Sequence, residues 1–132
     1  MTDEPPLRAH AIERCFAHID TATGIRPLPV DEDFWSRTVA ELPAGRLVSH
    51  VETSAPWPTW EMHPDGEELI LQLTGSMTLI VETTDGEHER IPLPAGHFTV
   101  VPAGRWHTAD ADGPGTALYI TWGDGTQVRE RS

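Results

Sequence analysis

Two glutamates and two histidines stand beside turns in two separated stretches of the chain. Glu61 and His63 are two residues apart, and because alternate side chains of a β-strand share one face, both point the same way. A Pro-Asp-Gly turn follows His63, so the chain reverses and Glu68 can project to that face from the returning strand. His107 also follows a glycine-containing turn, 44 positions after His63. If the four side chains converge, they form a divalent-metal site with room for water or substrate.

The overall composition excludes several other kinds of chemistry. The 132 residues include 9 basic and 21 acidic side chains, for a formal net charge of −12, and every basic residue is arginine. A lysine Schiff base, a P-loop lysine and a Ser–Lys dyad are therefore excluded, and the acidic balance disfavours nucleic acids and anionic membranes as partners. Cys15 is the only cysteine, which excludes an intrachain disulfide and a multi-cysteine zinc site. We expect a cytoplasmic protein with no membrane span or secretion signal, whose partner is a small molecule.

Short strands separated by turns must position the four residues. The 11 glycines and 12 prolines are spread along the chain. From residue 46 onward, seven or eight β-rich runs follow one another at even spacing, and the Asp85-Gly86 pair between two such runs is the strongest hairpin signal. This pattern predicts an all-β sandwich or barrel over residues 46–132.

Residues 1–45 lack the regular succession of β-rich runs and are interpreted as an N-terminal arm of extended chain and short helix. Apolar residues from Ile12 to Ile19 recur at helical spacing and favour a short helix there. Asp31–Asp33 are placed to begin a second short helix that ends near Pro43. We expect the arm to cover an exposed sheet edge across a two-fold axis, which predicts a homodimer.

The spacing of histidines, glutamate, proline and glycines matches a family pattern. It fits the motifs G-x5-H-x-H-x(3,4)-E-x6-G and G-x5-P-x-G-x2-H-x3-N, separated by a short segment. The matching positions are His63, Glu68 and Gly75 in the first motif and Gly96, Pro102, Gly104 and His107 in the second. Over about residues 46–122 the chain therefore resembles the cupins, in particular small single-domain microbial cupins. The resemblance implies a jelly-roll-like β-barrel in which His63, Glu68 and His107 hold a metal ion.

The sequence departs from the cupin motifs at three positions. Ala55 replaces the opening glycine, Ala111 replaces the closing asparagine, and Glu61 stands where the first histidine is expected. Glu61 keeps the same face and can itself be a ligand, and a site with two carboxylates favours Fe(II) or Mn(II), with Zn or Ni as alternatives. Two other interpretations stay open. The remaining three residues can form a facial triad with Glu61 as a free general base, or the metal has been lost and the two acids share a proton or pair with arginine.

Aromatic and polar side chains on neighbouring strands are candidates for the lining of a pocket. The expected pocket residues are Trp57, Gln72, Phe98, Trp122 and His50. Aromatic residues in a barrel mouth suit an apolar or ring-bearing ligand, although any one of them can simply fill the core of a small barrel. Glu61 and Tyr119 are the candidates for proton transfer.

These residues support three functional hypotheses. The first is a metal-dependent enzyme that acts on a small organic molecule as a dioxygenase, isomerase, lyase or cyclase, with the metal as Lewis acid or oxygen-binding centre. The second is a small-ligand binding or sensor module that needs no metal, and the third is a structural barrel. The fold alone cannot choose among them, because cupins host many unrelated reactions.

Overall fold

The N-terminal segment forms strands rather than the expected first helix. The computed structural model describes residues 6–132, in which β1 is Cys15–Asp20 and β2 is Ile25–Pro29. Phe16 and His18 are buried while their neighbours are less so, and this alternation is the period of a half-buried strand. The prediction of a helix over residues 12–19 is therefore wrong, because the apolar residues pack in alternation against a sheet.

The expected second helix is confirmed as a brief helical segment. A π-helical turn, Phe34–Thr38, runs directly into a 3-10 turn, Val39–Glu41, and Asp33 precedes it without a side-chain capping hydrogen bond. Phe34 is fully buried, and its ring meets that of Phe16 edge-on with centroids 5.1 Å apart. This segment packs the end of the arm onto the first strands. None of the helical segments in residues 6–132 is long and apolar enough to cross a membrane.

The described residues contain nine more strands, all paired in antiparallel fashion. They are β3 Gly45–Thr53, β4 Thr59–Met62, β5 Glu68–Thr74, β6 Ser76–Glu82, β7 His88–Pro94, β8 Phe98–Val101, β9 His107–Asp110, β10 Gly115–Trp122 and β11 Gln127–Glu130. One sheet has the order β2-β1-β3-β10-β5-β8 and the other has the order β11-β4-β9-β6-β7. The expected all-β, jelly-roll-like architecture is confirmed, and β1 and β2 extend its larger sheet.

The main hydrophobic core lies between the two sheets. Its buried members include Ile70 of β5, Leu79 of β6 and Tyr119 of β10, and a smaller cluster beside β1 contains Phe16 and Phe34. Along β5 and β10 the buried side chains alternate with more exposed ones, so the register decides which side chains enter the barrel.

Glycine is required at the turn between β5 and β6. Gly75 has φ +68°, and a Cβ there would lie 2.6 Å from the carbonyl oxygen of Pro114. The Asp85-Gly86 hairpin between β6 and β7 is confirmed, with Gly86 at φ +80°. Gly75, the glycine of the first motif, is therefore required by sterics at its own turn, independently of any ligand.

Candidate metal centre

The four predicted ligand residues meet inside the barrel, and they come from both sheets. Glu61 of β4 pairs directly with His107 at the start of β9, and His63 follows the end of β4. Glu68 begins β5 on the opposite sheet. His63, Glu68 and His107 are all buried, whereas Glu61 is half-buried. One ligand atom each from Glu61, His63 and His107 lies within 4.8 Å of the others, a spacing that one metal ion could bridge.

Glu68 lies against both imidazole rings. Its Oε1 atom is 3.0 Å from His107 Nε2, and its Oε2 atom is 3.4 Å from His63 Nε2. The Thr121 hydroxyl of β10 donates a hydrogen bond to Oε2. Both carboxylates therefore face the same pair of histidines, which is the convergence that strand alternation predicts.

Hydrogen bonds on the far side of each ring orient both histidines. His107 Nδ1 lies 3.2 Å from the carbonyl oxygen of Arg105, which can only accept, so this nitrogen carries a proton. His63 Nδ1 is 2.8 Å from Thr126 Oγ1, and that hydroxyl donates its own hydrogen to the Gly123 carbonyl. Thr126 must therefore accept from His63. Both rings direct Nε2 into the site, as metal-bound histidines held by such partners do.

His63 Nε2 is the atom that fits a metal best. It is buried and has no hydrogen-bond partner among the described residues, although Glu68 approaches it. A buried nitrogen without a hydrogen-bond partner destabilises the folded state by roughly 1–3 kcal/mol. A cation between the Nε2 atoms and the two carboxylates would satisfy it, so the residues fit a divalent metal ion.

Burial and the contacts between the carboxylates and the imidazoles set the charges in the site. Burial alone would raise the pKa of Glu68, but the hydrogen bond from His107 and the close approach of His63 outweigh it and lower that pKa to about 2. Burial raises the pKa of Glu61, and the negative charge of Glu68 adds to this effect. Burial opposes protonation of His107, yet the hydrogen bond and charge of Glu68 raise its pKa overall. Glu68 is thus a fixed anion, and Glu61 is the carboxylate that takes up a proton more readily.

Three of the other candidate residues also lie inside the barrel. The Trp57 ring is 6.2 Å from His107 and 6.2 Å from Tyr119, measured between ring centroids. The Tyr119 hydroxyl is buried near Thr53 but forms no hydrogen bond of good geometry among the described residues, and burial together with the charges of Glu68 and Glu61 raises its pKa. Gln72 donates its amide to the Thr74 carbonyl, while its buried Oε1 atom is also without a partner.

Three expected pocket residues lie on the outer face of the larger sheet instead. Phe98 is 62% exposed and pairs with Leu71, whose side chain points away from the interior. His50 pairs with outward-facing Leu118. Trp122 follows inward-facing Thr121, so it points outward. These expectations are corrected because the alternation on a strand defines two faces but not which one is inside.

Two residues that orient the site were not singled out by the sequence. Thr121 shares the face of Tyr119, so strand parity is a signal that could have found it. Thr126 lies after β10 in the turn before β11, where no periodicity applies. Its contact with His63 depends on the packing of the last turn and has no local sequence signal.

The region of the chain that carries these residues matches a known protein family. A family model described as a cupin domain matches residues 47–123, more than half of the chain. The chain belongs to the cupin family. The resemblance found in the sequence motifs is thereby confirmed. A comparison with curated proteins finds no match.

Several solved structures are similar to this cupin in fold. Hydroquinone 1,2-dioxygenase from Sphingomonas sp. TTNP3 in complex with 4-nitrophenol has 22% identity and a TM-score of 0.53, over 60% of this chain and 25% of that chain. Hydroquinone 1,2-dioxygenase PnpCD in complex with Cd2+ and 4-hydroxybenzonitrile has 19% identity and a TM-score of 0.53, over 64% and 61%. An oxalate oxidase structure has 16% identity and a TM-score of 0.52, over 61% and 44%.

The likeness to these proteins is limited to the barrel. This cupin spans less than two thirds of the length of each of the three structures. At such identities the likeness establishes a shared fold, and the chemistry must be argued from the residues of this chain.

Proposed function

We propose that this cupin is a metal-dependent enzyme of dioxygenase type that acts on a small, ring-bearing organic molecule. Its ligands would be His63, His107, Glu68 and Glu61, with Fe(II) or Mn(II) preferred because two carboxylates accompany two imidazoles. The observation that carries the proposal is the buried His63 Nε2 atom, which has no hydrogen-bond partner among the described residues and lies 3.4 Å from Glu68 Oε2, in a residue clustered with Glu61 and His107. A hydroquinone 1,2-dioxygenase and an oxalate oxidase share this fold, which supports the reaction class.

Several side chains of this site would each have a role in the reaction. A bound divalent metal supplies Lewis acidity and, as iron, the capacity to react with oxygen. If His63, Glu68 and His107 alone held the metal, the half-buried Glu61 beside them would be free to take a proton from a ligand hydroxyl. The Tyr119 hydroxyl can donate to a ligand oxygen, and the Trp57 ring beside it offers a flat apolar wall. The buried walls around these groups keep water from competing for them.

One observation favours the binding or sensor alternative. Glu68 already receives hydrogen bonds from His107 and Thr121 and lies near His63, so the cluster is largely compensated without a cation. Under this alternative Glu61 would be neutral and the barrel would hold an organic ligand without turnover. Metal content separates the two proposals.

Elemental analysis of protein purified without chelator tests the metal proposal directly. We expect about one equivalent of iron or manganese per chain in the wild type. His63→Ala and His107→Ala should each lose most of it, because each removes one of two nitrogen ligands. His97→Ala removes an exposed histidine outside the site and should keep the wild-type content. Metal-free wild type, even after reconstitution under anaerobic conditions, would favour the binding alternative.

Tyr119→Phe separates a ligand contact from a structural role. The hydroxyl is buried without a hydrogen-bond partner among the described residues, so its removal should not destabilise the protein and should raise the free energy of unfolding by up to about 1–3 kcal/mol. Binding of 4-nitrophenol, the compound in a similar dioxygenase structure, should weaken roughly fivefold to tenfold through loss of one hydrogen bond. Denaturant titration and calorimetry measure the two quantities. A large loss of stability with unchanged binding would assign Tyr119 to the core alone.

A further inference from the structure

The last strand, β11, flanks the strand that leads into the metal cluster. It pairs along the whole of β4, which carries Glu61 and ends just before His63. The family match ends at residue 123, so β11 lies beyond it. All four side chains of β11 are exposed, so their burial contributes little to holding the strand in place. Specific polar contacts at the two ends of β11 must therefore position it.

At one end, Thr126 continues the register of the two strands. Gln127 pairs with Met62, so the next antiparallel partners along the chain are Thr126 and His63. Thr126 Oγ1 lies 2.8 Å from His63 Nδ1 and donates its own hydrogen to the Gly123 carbonyl, also at 2.8 Å. The backbone N–H of Thr126 donates to the same carbonyl at 3.2 Å. The Thr126 hydroxyl is thus fixed as an acceptor, and Nδ1 must supply the proton.

At the other end, Arg131 anchors β11 to the rest of the sheet. Its guanidinium donates to the carbonyl oxygens of Trp57 and Ala109, each at 3.2 Å. It also lies 2.9 Å from the Asp110 carboxylate. The backbone N–H of Arg131 donates to the Pro58 carbonyl at 3.3 Å. These bonds hold the strand along β4 and thereby hold Thr126 in place beside His63.

The position of the proton on His63 decides what the second nitrogen of the ring can do. A neutral imidazole carries one proton. With the proton on Nδ1, Nε2 presents a lone pair to a metal ion. With the proton on Nε2, that N–H would lie 3.4 Å from Glu68 Oε2 and could donate to it, in the place that a cation would take. The two tautomers therefore produce two different sites.

We propose that Thr126 is a positioning residue of the metal centre, which keeps the proton of His63 on Nδ1 and the Nε2 lone pair available to a metal ion. Thr126 acts through His63. Without this acceptor, Glu68 would favour the Nε2–H tautomer, and the two residues would close on each other. The effect on metal binding rests on the proposed function, whereas the contact between Thr126 and His63 does not.

Long-range 15N–1H NMR of the His63 ring in the metal-free protein tests the proton-holding role. At about pH 8.5, where an ordinary imidazole is neutral, we expect Nδ1 to carry the proton in the wild type. Thr126→Val keeps the shape of an exposed side chain but removes the acceptor, so the Nε2–H tautomer should become the major one. Thr126→Ser retains a hydroxyl and should show the wild-type tautomer. His63→Ala identifies the signals of this ring by their loss.

Competition with a chelator for Mn(II) measures the consequence for metal binding. Thr126→Val should raise the Mn(II) dissociation constant roughly tenfold to a hundredfold, whereas Thr126→Ser should stay within about twofold of the wild type. Thr83→Val is the matched control, because the Thr83 hydroxyl also bonds within a turn, to Glu87, outside the site. It should leave the constant unchanged.

Arg131→Gln tests whether the anchored strand holds Thr126 in place. It should free the end of β11 and weaken Mn(II) binding about threefold to tenfold, through partial loss of the contact between Thr126 and His63. Arg90→Gln is the matched control, since Arg90 also pairs with Asp110, at 3.2 Å, but does so from β7. Equal effects of the two variants would show that the charge around Asp110, and not the anchoring of β11, is responsible.

Two results would overturn the role of Thr126. One is a wild-type His63 tautomer in Thr126→Val, and the other is an unchanged Mn(II) affinity in that variant when the wild type binds Mn(II). A wild type that does not bind Mn(II) would contradict the proposed function instead, and the NMR result would still decide whether Thr126 holds the proton on Nδ1.

Discussion

Loading the metal-free protein with Fe(II) or Mn(II) is expected to raise its melting temperature by about 15 °C. A ligand that binds only the folded state at a thousand times its dissociation constant stabilises it by about 4 kcal/mol. For a domain of this size, each kcal/mol moves the melting temperature by about 4 °C. The effect is large because the site is preassembled, with both Nε2 atoms facing inward and two carboxylates beside them. Thermal unfolding with and without metal, under anaerobic conditions for iron, measures it.

Variants assign this stabilisation to the cluster. His63→Ala and His107→Ala should lose most of the shift, whereas His97→Ala should retain it, because His97 lies exposed on the loop before β8. Glu61→His restores the residue type of the family motif and should move the metal preference toward zinc, which accepts more imidazole ligands. An equal shift in the wild type and in both alanine variants at the two buried histidines would place the metal elsewhere on the chain.

Acidification is expected to destabilise the metal-free protein by roughly 3 kcal/mol between about pH 4.5 and pH 2. The folded pKa of Glu68 is about 2, below its ordinary value of 4.5, so the stability that it contributes is present above pH 4.5 and is lost as the pH falls through the folded pKa. His107 has the opposite sign. Its pKa is raised above 6.5, so its contribution is present below that pH and is lost as the pH rises through the folded pKa.

Denaturant titrations in the presence of a chelator, repeated across this pH range, measure the effect. Glu68→Gln removes the titrating group but keeps the size of the side chain, so its unfolding free energy should change much less between pH 4.5 and pH 2. Glu67→Gln is the matched control, because Glu67 is the exposed neighbour just before β5. If the unfolding free energy of Glu68→Gln still falls as steeply between pH 4.5 and pH 2, other carboxylates cause the acid destabilisation.

The replacement of a motif histidine by Glu61 is the feature that makes this cupin site distinctive. Two carboxylates in one buried cluster repel each other unless a cation, a proton or a histidinium ion lies between them. In the structure, His107 and His63 compensate the charge of Glu68, whereas burial and the charge of Glu68 raise the pKa of Glu61. A bound metal ion would stabilise the charged form of both carboxylates, whereas acid protonates them. Metal loading and acid titration therefore test the same cluster.

The metal cluster could be predicted well because its spacing follows simple strand geometry. Glu61 and His63 share a face by alternation, and Glu68 and His107 enter from strand starts after turns, as the structure has them. Periodicity was a poorer guide near the N-terminus. The residues from Ile12 to Ile19 satisfy a helical spacing, but pairing of β1 with β3 buries alternate side chains and overrides it.

The sequence by itself determined the all-β class, the motif spacing and the identity of the four clustered side chains. These depend on turns and on the period of two, which are local properties of the chain. Only the tertiary structure decided that Phe98, His50 and Trp122 face outward and that Thr126 orients His63. The physical reason is that alternation separates two faces of a strand, whereas burial against the opposite sheet selects the one that becomes the interior.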